Sequence, residues 1–364
     1  MHLSEIDTPA LLVDLDIFER NLARVAQYTR DHNLRLRPHT KTHKCVDIAR
    51  RQLASGAAGL TVAKVSEAEI IVQAEPADLL VAFPVLGRAK LERLMPVARR
   101  THVIVALDSF AAAQQLSEAA RAAQVQVGIV AEVDVGLGRV GVTPGQELLE
   151  LVECISRLPN VTCEGITFYP GHIKSLDAGG LRALDSLSEL AATMVEDLSA
   201  AGFPPRIVSG GSTPTLFHSH AIEGLTEIRP GTYVFNDLNT VRSGACALED
   251  CAATILATVV STARPGQMVL DGGSKTFSSD RSVAAADDTF GRIVEAPAAR
   301  FHKMNEEHAF VDMTAESARF SVGDRVRVIP NHICVAVNLH EKVYGMRGES
   351  VEQVLTVDAR GKLQ

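Results

Sequence analysis

The hydrophobic positions of the chain follow a regular order up to about residue 230. Short runs that are apolar almost throughout, such as 102–107 and 126–133, alternate with longer stretches of helical spacing, such as 109–123 and 144–158. A strand that is apolar throughout is typical of a parallel sheet covered on both faces. About eight strand–helix units in succession therefore predict a (β/α)8 TIM barrel. An open doubly wound sheet is the alternative, but no GxGxxG follows the first strand.

The pattern changes after about residue 245. Short strand candidates separated by glycine, proline and aspartate turns follow one another, with no amphipathic helix expected among them. These candidates are 253–261, 267–270, 292–294, 308–311, 325–329 and 333–337. The sequence thus predicts a barrel over residues 14–245 and an antiparallel β-domain over residues 246–364.

Composition narrows the class of protein. Apolar residues make up 46% of the chain and the net charge is −8 with interspersed signs, which argues against a nucleic-acid partner. No apolar run approaches the length of a membrane span, and residues 1–7 lack the pattern of a secretory signal. Six cysteines are scattered without framework spacing, which favours free thiols and a reducing compartment. We therefore expect a cytoplasmic protein without membrane or nucleic-acid partners.

One basic segment is the first candidate for chemistry. It reads Arg37-Pro38-His39-Thr40-Lys41-Thr42-His43-Lys44 and follows a predicted strand at 34–36. Crowded, cationic surroundings make a lysine amine a better nucleophile, and such lysines hold cofactors as Schiff bases. A basic surface loop is the alternative interpretation.

Further polar loops follow later strands, where the active site of a barrel lies. Two of them are glycine-rich and offer backbone amides and hydroxyl groups to a phosphate, unless they are ordinary turns. Their residues are Ser209, Gly210, Gly211, Ser212, Gly231, Thr232 and Tyr233. A reactive lysine combined with a phosphate site indicates pyridoxal 5′-phosphate as cofactor.

The loops after two middle strands carry three more candidates. Arg139 is a candidate partner of the pyridine nitrogen, or a surface arginine. Tyr169 is a candidate contact of cofactor or substrate, or a packing residue. His172 is a candidate general base, because imidazole titrates near neutral pH, or a solvated loop histidine.

A candidate metal site lies near the end of the chain, in Pro330-Asn331-His332-Ile333-Cys334. Alternate residues of a strand point to one face, so His332 and Cys334 would ligate one ion. An imidazole and a thiolate favour zinc over hard cations, although His-x-Cys alone is a weak motif. Two protein ligands leave positions for water or substrate, as in a catalytic site.

Taken in this order, the motifs resemble the D-threonine aldolase and D-serine dehydratase family of alanine racemase-like pyridoxal-phosphate enzymes. The resemblance runs over nearly the whole chain. It includes 7–10, 37–44, 134–141, 209–215, 229–237 and 330–339. The resemblance implies the alanine racemase-like fold, in which residues 1–13 join the β-domain of residues 246–364. It also implies a homodimer with shared active sites.

The resemblance assigns roles to the candidates. Lys41 would be the Schiff-base lysine with His39 beside it, and Arg139 the partner of the pyridine nitrogen. Tyr169 would contact the cofactor, and the residues of the two glycine-rich loops would surround the phosphate. His332 and Cys334 would hold a divalent ion, with zinc favoured and manganese or magnesium as alternatives.

The implied activity is that of a lyase acting on D-3-hydroxy-amino acids. Retro-aldol cleavage to glycine and an aldehyde is the main prediction. A D-serine or D-3-hydroxyaspartate dehydratase is the alternative, because many D-threonine aldolases have His-x-Asp where this chain has His332-Ile333-Cys334. A racemase and a non-catalytic cofactor-binding protein are further alternatives.

Overall fold

The computed structural model describes residues 1–282 and 288–364. Contacts divide the chain into two compact units, and each is built from several segments. The β-unit comprises 1–23, 42–45 and 232–360, and the barrel unit comprises 24–41, 46–231 and 361–364. The predicted domain bounds stay a prediction: 14–245 for the barrel, and 246–364 joined by residues 1–13, as the family resemblance implies, for the β-domain.

The strands of the described residues are numbered in chain order. They are β1 (Ala10–Asp14), β2 (Arg35–Leu36), β3 (Leu60–Val62), β4 (Asp78–Val81), β5 (His102–Leu107), β6 (Val127–Val133), β7 (Val161–Phe168), β8 (Ile207–Gly210), β9 (Glu227–Ile228), β10 (Ala253–Ser261), β11 (Gln267–Leu270), β12 (Gly291–Ile293), β13 (Arg300–Met304), β14 (Ala309–Asp312), β15 (Arg325–Pro330), β16 (Lys342–Arg347) and β17 (Ser350–Thr356).

The α-helices of the same residues are numbered likewise. They are α1 (Leu15–Asp31), α2 (Val46–Ala54), α3 (Val65–Ile71), α4 (Arg88–Ala98), α5 (Phe110–Ala123), α6 (Gln146–Ser156), α7 (Ala178–Ala200), α8 (Leu238–Arg242), α9 (Ser274–Phe277) and α10 (Ile333–Leu339). Within the described chain, no helix has the length and apolar character needed to cross a membrane.

The barrel unit contains a parallel sheet that closes on itself. Among the described residues, its eight strands run in the order β2-β9-β8-β7-β6-β5-β4-β3. At the seam between β2 and β3, His39 and Thr61 form a parallel bridge, and the Thr61 N–H donates to the Pro38 carbonyl at 2.9 Å. The predicted (β/α)8 barrel is confirmed, and the segment that carries Lys41 leaves the barrel at its seam.

Apolar side chains hold the strands of the barrel together. One buried cluster joins four strands of the barrel, β4, β5, β6 and β8, through Leu80, Ile104, Ala106, Val130 and Ile207. Burying apolar surface stabilises the fold by about 25 cal/mol per Å² removed from water. The continuously apolar runs of the sequence therefore correspond to strands buried on both faces.

A buried ion pair fixes the shortest strands of the barrel. Arg37 is fully buried and donates two hydrogen bonds of 2.9 Å to the carboxylate of Glu227, from Nε and Nη2. Its Nη1 bonds the carboxylate of Asp78, and the Ser209 hydroxyl donates to Glu227 at 2.6 Å. Burial alone would raise the pKa of Glu227, but the charge of Arg37 and these hydrogen bonds lower it. These contacts tie β2 to β4, β8 and β9.

The β-unit contains a second, mostly antiparallel sheet. Its main path runs β13-β14-β11-β10-β1-β16-β17, and β15 pairs with β10 and β12. The first strand of the chain lies between β10, to which it is antiparallel, and β16, to which it is parallel. Residues from both ends of the sequence therefore build one sheet.

The prediction of a strand at 333–337 is wrong, because these residues form α10. The run is rich in β-branched residues, which favour strands. However, His332 is extended (φ −135°, ψ 115°), and the Ile333 N–H donates to the carboxylate of Asp237 at 3.1 Å. This tertiary hydrogen bond satisfies one of the free N–H groups at a helix start. The expectation that no amphipathic helix lies in this region is corrected by α10, which buries Ile333, Ala336 and Val337 and exposes Val335. Strands β13, β16 and β17 were not predicted.

Replacing Arg37 tests the buried ion pair. Arg37→Met leaves the Glu227 carboxylate without its main partner, so we expect a loss of about 3–5 kcal/mol in the free energy of unfolding, measured by urea denaturation. The double variant Arg37→Met with Glu227→Leu should recover much of this loss. Arg88→Ala removes an exposed ion pair with Glu92 and is the control. Its free energy of unfolding in urea should equal that of the wild type. An unchanged stability of Arg37→Met would contradict the account.

Candidate active site

The lysine segment forms a tight turn directly after the barrel seam. Residues Thr40–Thr42 make a 3-10 turn, and the Lys41 N–H donates to Nδ1 of His39 at 3.4 Å. The Thr40 hydroxyl donates to the Thr61 carbonyl at 3.0 Å. Lys41 is exposed, whereas Lys44 is buried. Lys41 is therefore the accessible amine of this segment, at the carboxyl end of a barrel strand.

The two glycine-rich loops present backbone amides. Gly211 and Gly231 are buried, and their N–H groups donate no hydrogen bond to any of the described residues. Gly211 has φ +85°, a backbone conformation that glycine adopts without strain. Since β8 and β9 are neighbours, the two amides follow adjacent strands. Buried N–H groups without partners are costly, and an anion such as a phosphate would satisfy them.

The side-chain hydroxyls of the first loop are already used. Ser209 donates to Glu227 and accepts from Arg229, while Ser212 bonds Thr215 at 3.1 Å between the two hydroxyl oxygens. Gly210 lies against the ring of Phe168, where a side chain would collide. If this loop binds an anion, the donors would therefore come from its backbone.

The loops after β6 and β7 bring three predicted residues together. The guanidinium carbon of Arg139 lies 4.9 Å from the ring centroid of Tyr169, and its Nη2 is 3.8 Å from Oε1 of Glu132. Burial raises the pKa of Glu132, while Arg229 and then Arg139 act in the opposite direction. His172 is exposed and packs against Gly136 of the loop after β6. A cation, a phenol and an imidazole thus converge at the ends of neighbouring strands.

One further polar group of the barrel unit has no partner. Among the described residues, the buried hydroxyl of Thr167 in β7 forms no hydrogen bond. Together with the amides of Gly211 and Gly231, it would be satisfied by a polar ligand such as pyridoxal phosphate. The donors present therefore fit this cofactor.

His332 and Cys334 lie together in the β-unit. His332 Nδ1 is 3.1 Å from Oδ2 of Asp237, and the side chains of His332 and Cys334 are hydrogen-bonded. The charge of Cys334, and after it Asp237, raises the pKa of His332 to about 11, although burial acts in the opposite direction. An imidazole and a thiol side by side supply nitrogen and sulfur donors, which suit a cation such as Zn²⁺.

The basis on which this pair was predicted is corrected. His332 precedes α10 and Cys334 lies in its first turn, so helix geometry and not strand alternation brings them together. Within the described ranges, no group of three or more His, Cys, Asp or Glu side chains is placed to hold a metal ion. An ion bound by His332 and Cys334 would keep open positions for water or substrate.

The β-unit also contains the residue that follows Lys41. The Cys334 thiol donates to the hydroxyl of Thr42 at 3.2 Å and lies 3.9 Å from the hydroxyl of Thr232. Tyr233, the next residue after Thr232, is buried. The candidate metal ligand is thus bonded to the direct chain neighbour of the candidate cofactor lysine.

Comparison with protein families matches both parts of the chain. The model described as "Alanine racemase, N-terminal domain" matches residues 13–238, and "Putative serine dehydratase domain" matches residues 252–346. The chain belongs to the alanine racemase-like family. The predicted family and the alanine racemase-like fold are both confirmed.

Relatives of this alanine racemase-like chain are aldolases and dehydratases. It is 33% identical to D-threonine aldolase from Arthrobacter sp, over 99% of this chain and 94% of that protein. It is 35% identical to D-threo-3-hydroxyaspartate dehydratase from Delftia sp. (strain HT23), over 91% and 92%. The prediction of a pyridoxal-phosphate-dependent lyase is confirmed.

Solved structures of the family give the same picture. D-threonine aldolase from Filomicrobium marinum superposes with a TM-score of 0.94, at 31% identity over 100% of this chain and 97% of that one. A cysteine-to-alanine mutant of D-threo-3-hydroxyaspartate dehydratase in the metal-free form has a TM-score of 0.88, at 32% identity over 98% of both chains. The fold is therefore shared by both activities.

Sequence reasoning did not assign a role to several charged groups that support the site. Glu132, Glu227 and Arg229 lie in or beside apolar strands, and a charge inside such a run is a signal that could have found them. Asp237 had no local signal, because its contact with His332 joins residues 95 positions apart.

Removal of Lys41 tests the cofactor site. Lys41→Ala removes the amine that would link covalently to the aldehyde of pyridoxal phosphate, so we expect loss of the visible absorption band of the loaded enzyme. Lys44→Met is the matched control and should keep the band, since Lys44 is buried. A band that persists in Lys41→Ala after gel filtration would show that another residue holds the cofactor.

Proposed function

We propose that this protein is a pyridoxal-phosphate- and divalent-metal-dependent lyase that cleaves D-3-hydroxy-amino acids to glycine and an aldehyde. The observation that carries the proposal is the 3.2 Å hydrogen bond from Cys334 to Thr42. Thr42 follows Lys41 directly in the sequence, so the candidate metal ligand is hydrogen-bonded to the chain neighbour of the candidate cofactor lysine.

Lys41 would attach the cofactor, with His39 holding the turn through the Lys41 N–H. Pyridoxal phosphate, when bound, supplies an electron sink that stabilises negative charge at the substrate Cα. The phosphate would take the unpartnered amides of Gly211 and Gly231. Other contacts in the same loops are proposed for Ser209, Gly210, Ser212, Thr232 and Tyr233.

Arg139 would face the pyridine nitrogen. A guanidinium only donates hydrogen bonds and does not give up its proton, so it would leave that nitrogen unprotonated. Tyr169, which packs against Arg139 at 4.9 Å, would hold the guanidinium plane in position. The stacked pair supports both residues as cofactor contacts.

His332 and Cys334 would hold the divalent ion, and the imidazole and thiolate donors favour zinc over manganese or magnesium. Such an ion supplies a Lewis acid for the β-hydroxyl of the substrate. His172, exposed on the loop after β7, would take the proton from that hydroxyl. Carbon–carbon cleavage needs this proton to leave, and His172 would act as its general base.

A dehydratase is the second candidate, and the cysteine of His332-Ile333-Cys334 favours it. In that reaction Lys41 would remove the α-proton and hydroxide would leave from Cβ, giving a 2-oxo acid and ammonia. The metal-free cysteine mutant of D-threo-3-hydroxyaspartate dehydratase gives this alternative further support. The two reactions use the same groups but break different bonds. In the aldol cleavage the hydroxyl proton leaves and the Cα–Cβ bond breaks, whereas in the dehydration the α-proton leaves and the Cβ–O bond breaks.

A homodimeric state and a cytoplasmic location are also proposed, each supported by one observation. The family resemblance supports a homodimer with shared active sites. All six cysteines are free thiols, which supports a reducing, cytoplasmic location.

Incubation of the loaded enzyme with D-threonine tests the proposed function. We expect glycine and acetaldehyde in equal amounts, because His172 would accept the hydroxyl proton and each cleavage of the Cα–Cβ bond would give one molecule of each product. Ammonia and 2-oxobutanoate would instead identify the dehydratase. L-Threonine is the control and should give neither pair. Absence of both product pairs across a panel of D-3-hydroxy-amino acids would contradict the proposal.

A further inference from the structure

Asp237 is a buried carboxylate that no step above uses. It is 1% exposed and lies just before α8. Its Oδ1 accepts from the Thr240 N–H at 2.8 Å and from the Thr240 hydroxyl at 2.7 Å. Its Oδ2 accepts from the Ile333 N–H and is bonded to Nδ1 of His332, each at 3.1 Å. Both oxygens therefore have two partners, which matches the acceptor capacity of a carboxylate.

The bond to His332 has a chemical consequence. An ionised carboxylate only accepts hydrogen bonds, so Nδ1 of His332 must carry the proton. In the neutral imidazole, Nε2 is then the nitrogen with a free lone pair, and a metal ion binds a lone pair. Metal-ligating histidines commonly donate their other ring N–H to a carboxylate in this way.

We propose that Asp237 is a positioning residue that selects the His332 tautomer able to bind the metal through Nε2. The inference rests on the proposed function, because it assumes that His332 is a ligand. It adds a residue that touches neither substrate nor ion and acts only through His332.

An amide cannot replace this carboxylate. Asparagine accepts hydrogen bonds at one end of its side chain and donates at the other. With its oxygen towards Thr240, its NH₂ group would meet the Ile333 N–H and would donate to Nδ1 of His332. A neutral His332 that accepts this bond at Nδ1 carries its proton on Nε2. Nε2 then has no free lone pair with which to bind the metal. With the amide reversed, the NH₂ group would instead meet the Thr240 N–H.

A purely structural role is the competing explanation, because Asp237 also caps α8. Thr240→Ala separates the two roles. It removes the hydroxyl at the Oδ1 end and leaves the Oδ2 contact with His332 unchanged. If the cap alone matters, Asp237→Asn should behave like Thr240→Ala or better, since asparagine is a good helix N-cap.

The experiment measures zinc affinity by competition with a chromophoric chelator, using the full-length protein. We expect Asp237→Asn to weaken zinc binding by about 10–100-fold. Thr240→Ala should retain wild-type affinity, and His332→Ala should lose the site. Melting temperatures recorded on the same samples report whether each variant is folded. A loss of zinc affinity without a matching fall in melting temperature indicates that the fold is intact.

A second measurement requires no Asp237 variant. Nitrogen-15 NMR of the zinc-loaded wild type, with His332 assigned by comparison with His332→Gln, reports which ring nitrogen carries the proton. We expect the Nδ1–H tautomer. This readout decides the question even if Asp237→Asn fails to fold.

Three outcomes would overturn the inference. Zinc affinity of folded Asp237→Asn within about twofold of the wild type would do so, as would an equal loss in Thr240→Ala, or an Nε2–H tautomer. If the proposed metal site itself is wrong, the zinc-binding results would differ from these three outcomes. In that case the wild type would bind no zinc, or His332→Ala would bind it as tightly as the wild type.

Discussion

The bidentate ion pair between Arg37 and Glu227 is the interaction on which the barrel unit depends. Burying two charges costs several kcal/mol each, and only complete hydrogen bonding offsets that cost. Glu227 accepts two bonds from Arg37 and one from Ser209, so its charge is well satisfied. Strands β2 and β9 share only two residue pairs, Arg35 with Glu227 and Leu36 with Ile228. So short a ladder needs side-chain contacts to fix it, and the segment that ends in Lys41 leaves the barrel from this point.

The β-unit uses a buried carboxylate in a similar way. Asp237 joins the start of α8, the start of α10 and the ring of His332 through four hydrogen bonds. In the barrel unit the groups proposed for chemistry, Lys41 and His172, are exposed, and in the β-unit His332 and Cys334 are half-buried, whereas Glu227 and Asp237 are buried. Rigid, buried partners allow exposed side chains to act from fixed positions. Removing a buried partner should therefore impair function because the side chain that it holds changes position, although the partner itself does not touch the substrate.

Much of the fold could be predicted from the hydrophobic pattern, and the reasons are local. Strands such as β5 and β10 have the predicted bounds because their apolar runs end at turn residues. Helix α10 could not be predicted, because a β-branched run became helical through a hydrogen bond to the distant Asp237. The candidate loops were found because they follow strands, but the use of the Ser209 hydroxyl inside the barrel depends on Glu227 and Arg229. The roles of the individual site residues stay predictions.

The central claim is that His332 and Cys334 would together hold a divalent metal ion. X-ray absorption at the zinc edge of the purified, zinc-loaded enzyme tests it most directly. The account predicts one sulfur at about 2.3 Å and an imidazole nitrogen at about 2.0–2.1 Å, with oxygen atoms completing the shell. The sulfur should be absent from Cys334→Ser. A wild-type spectrum with oxygen and nitrogen neighbours alone would contradict the account.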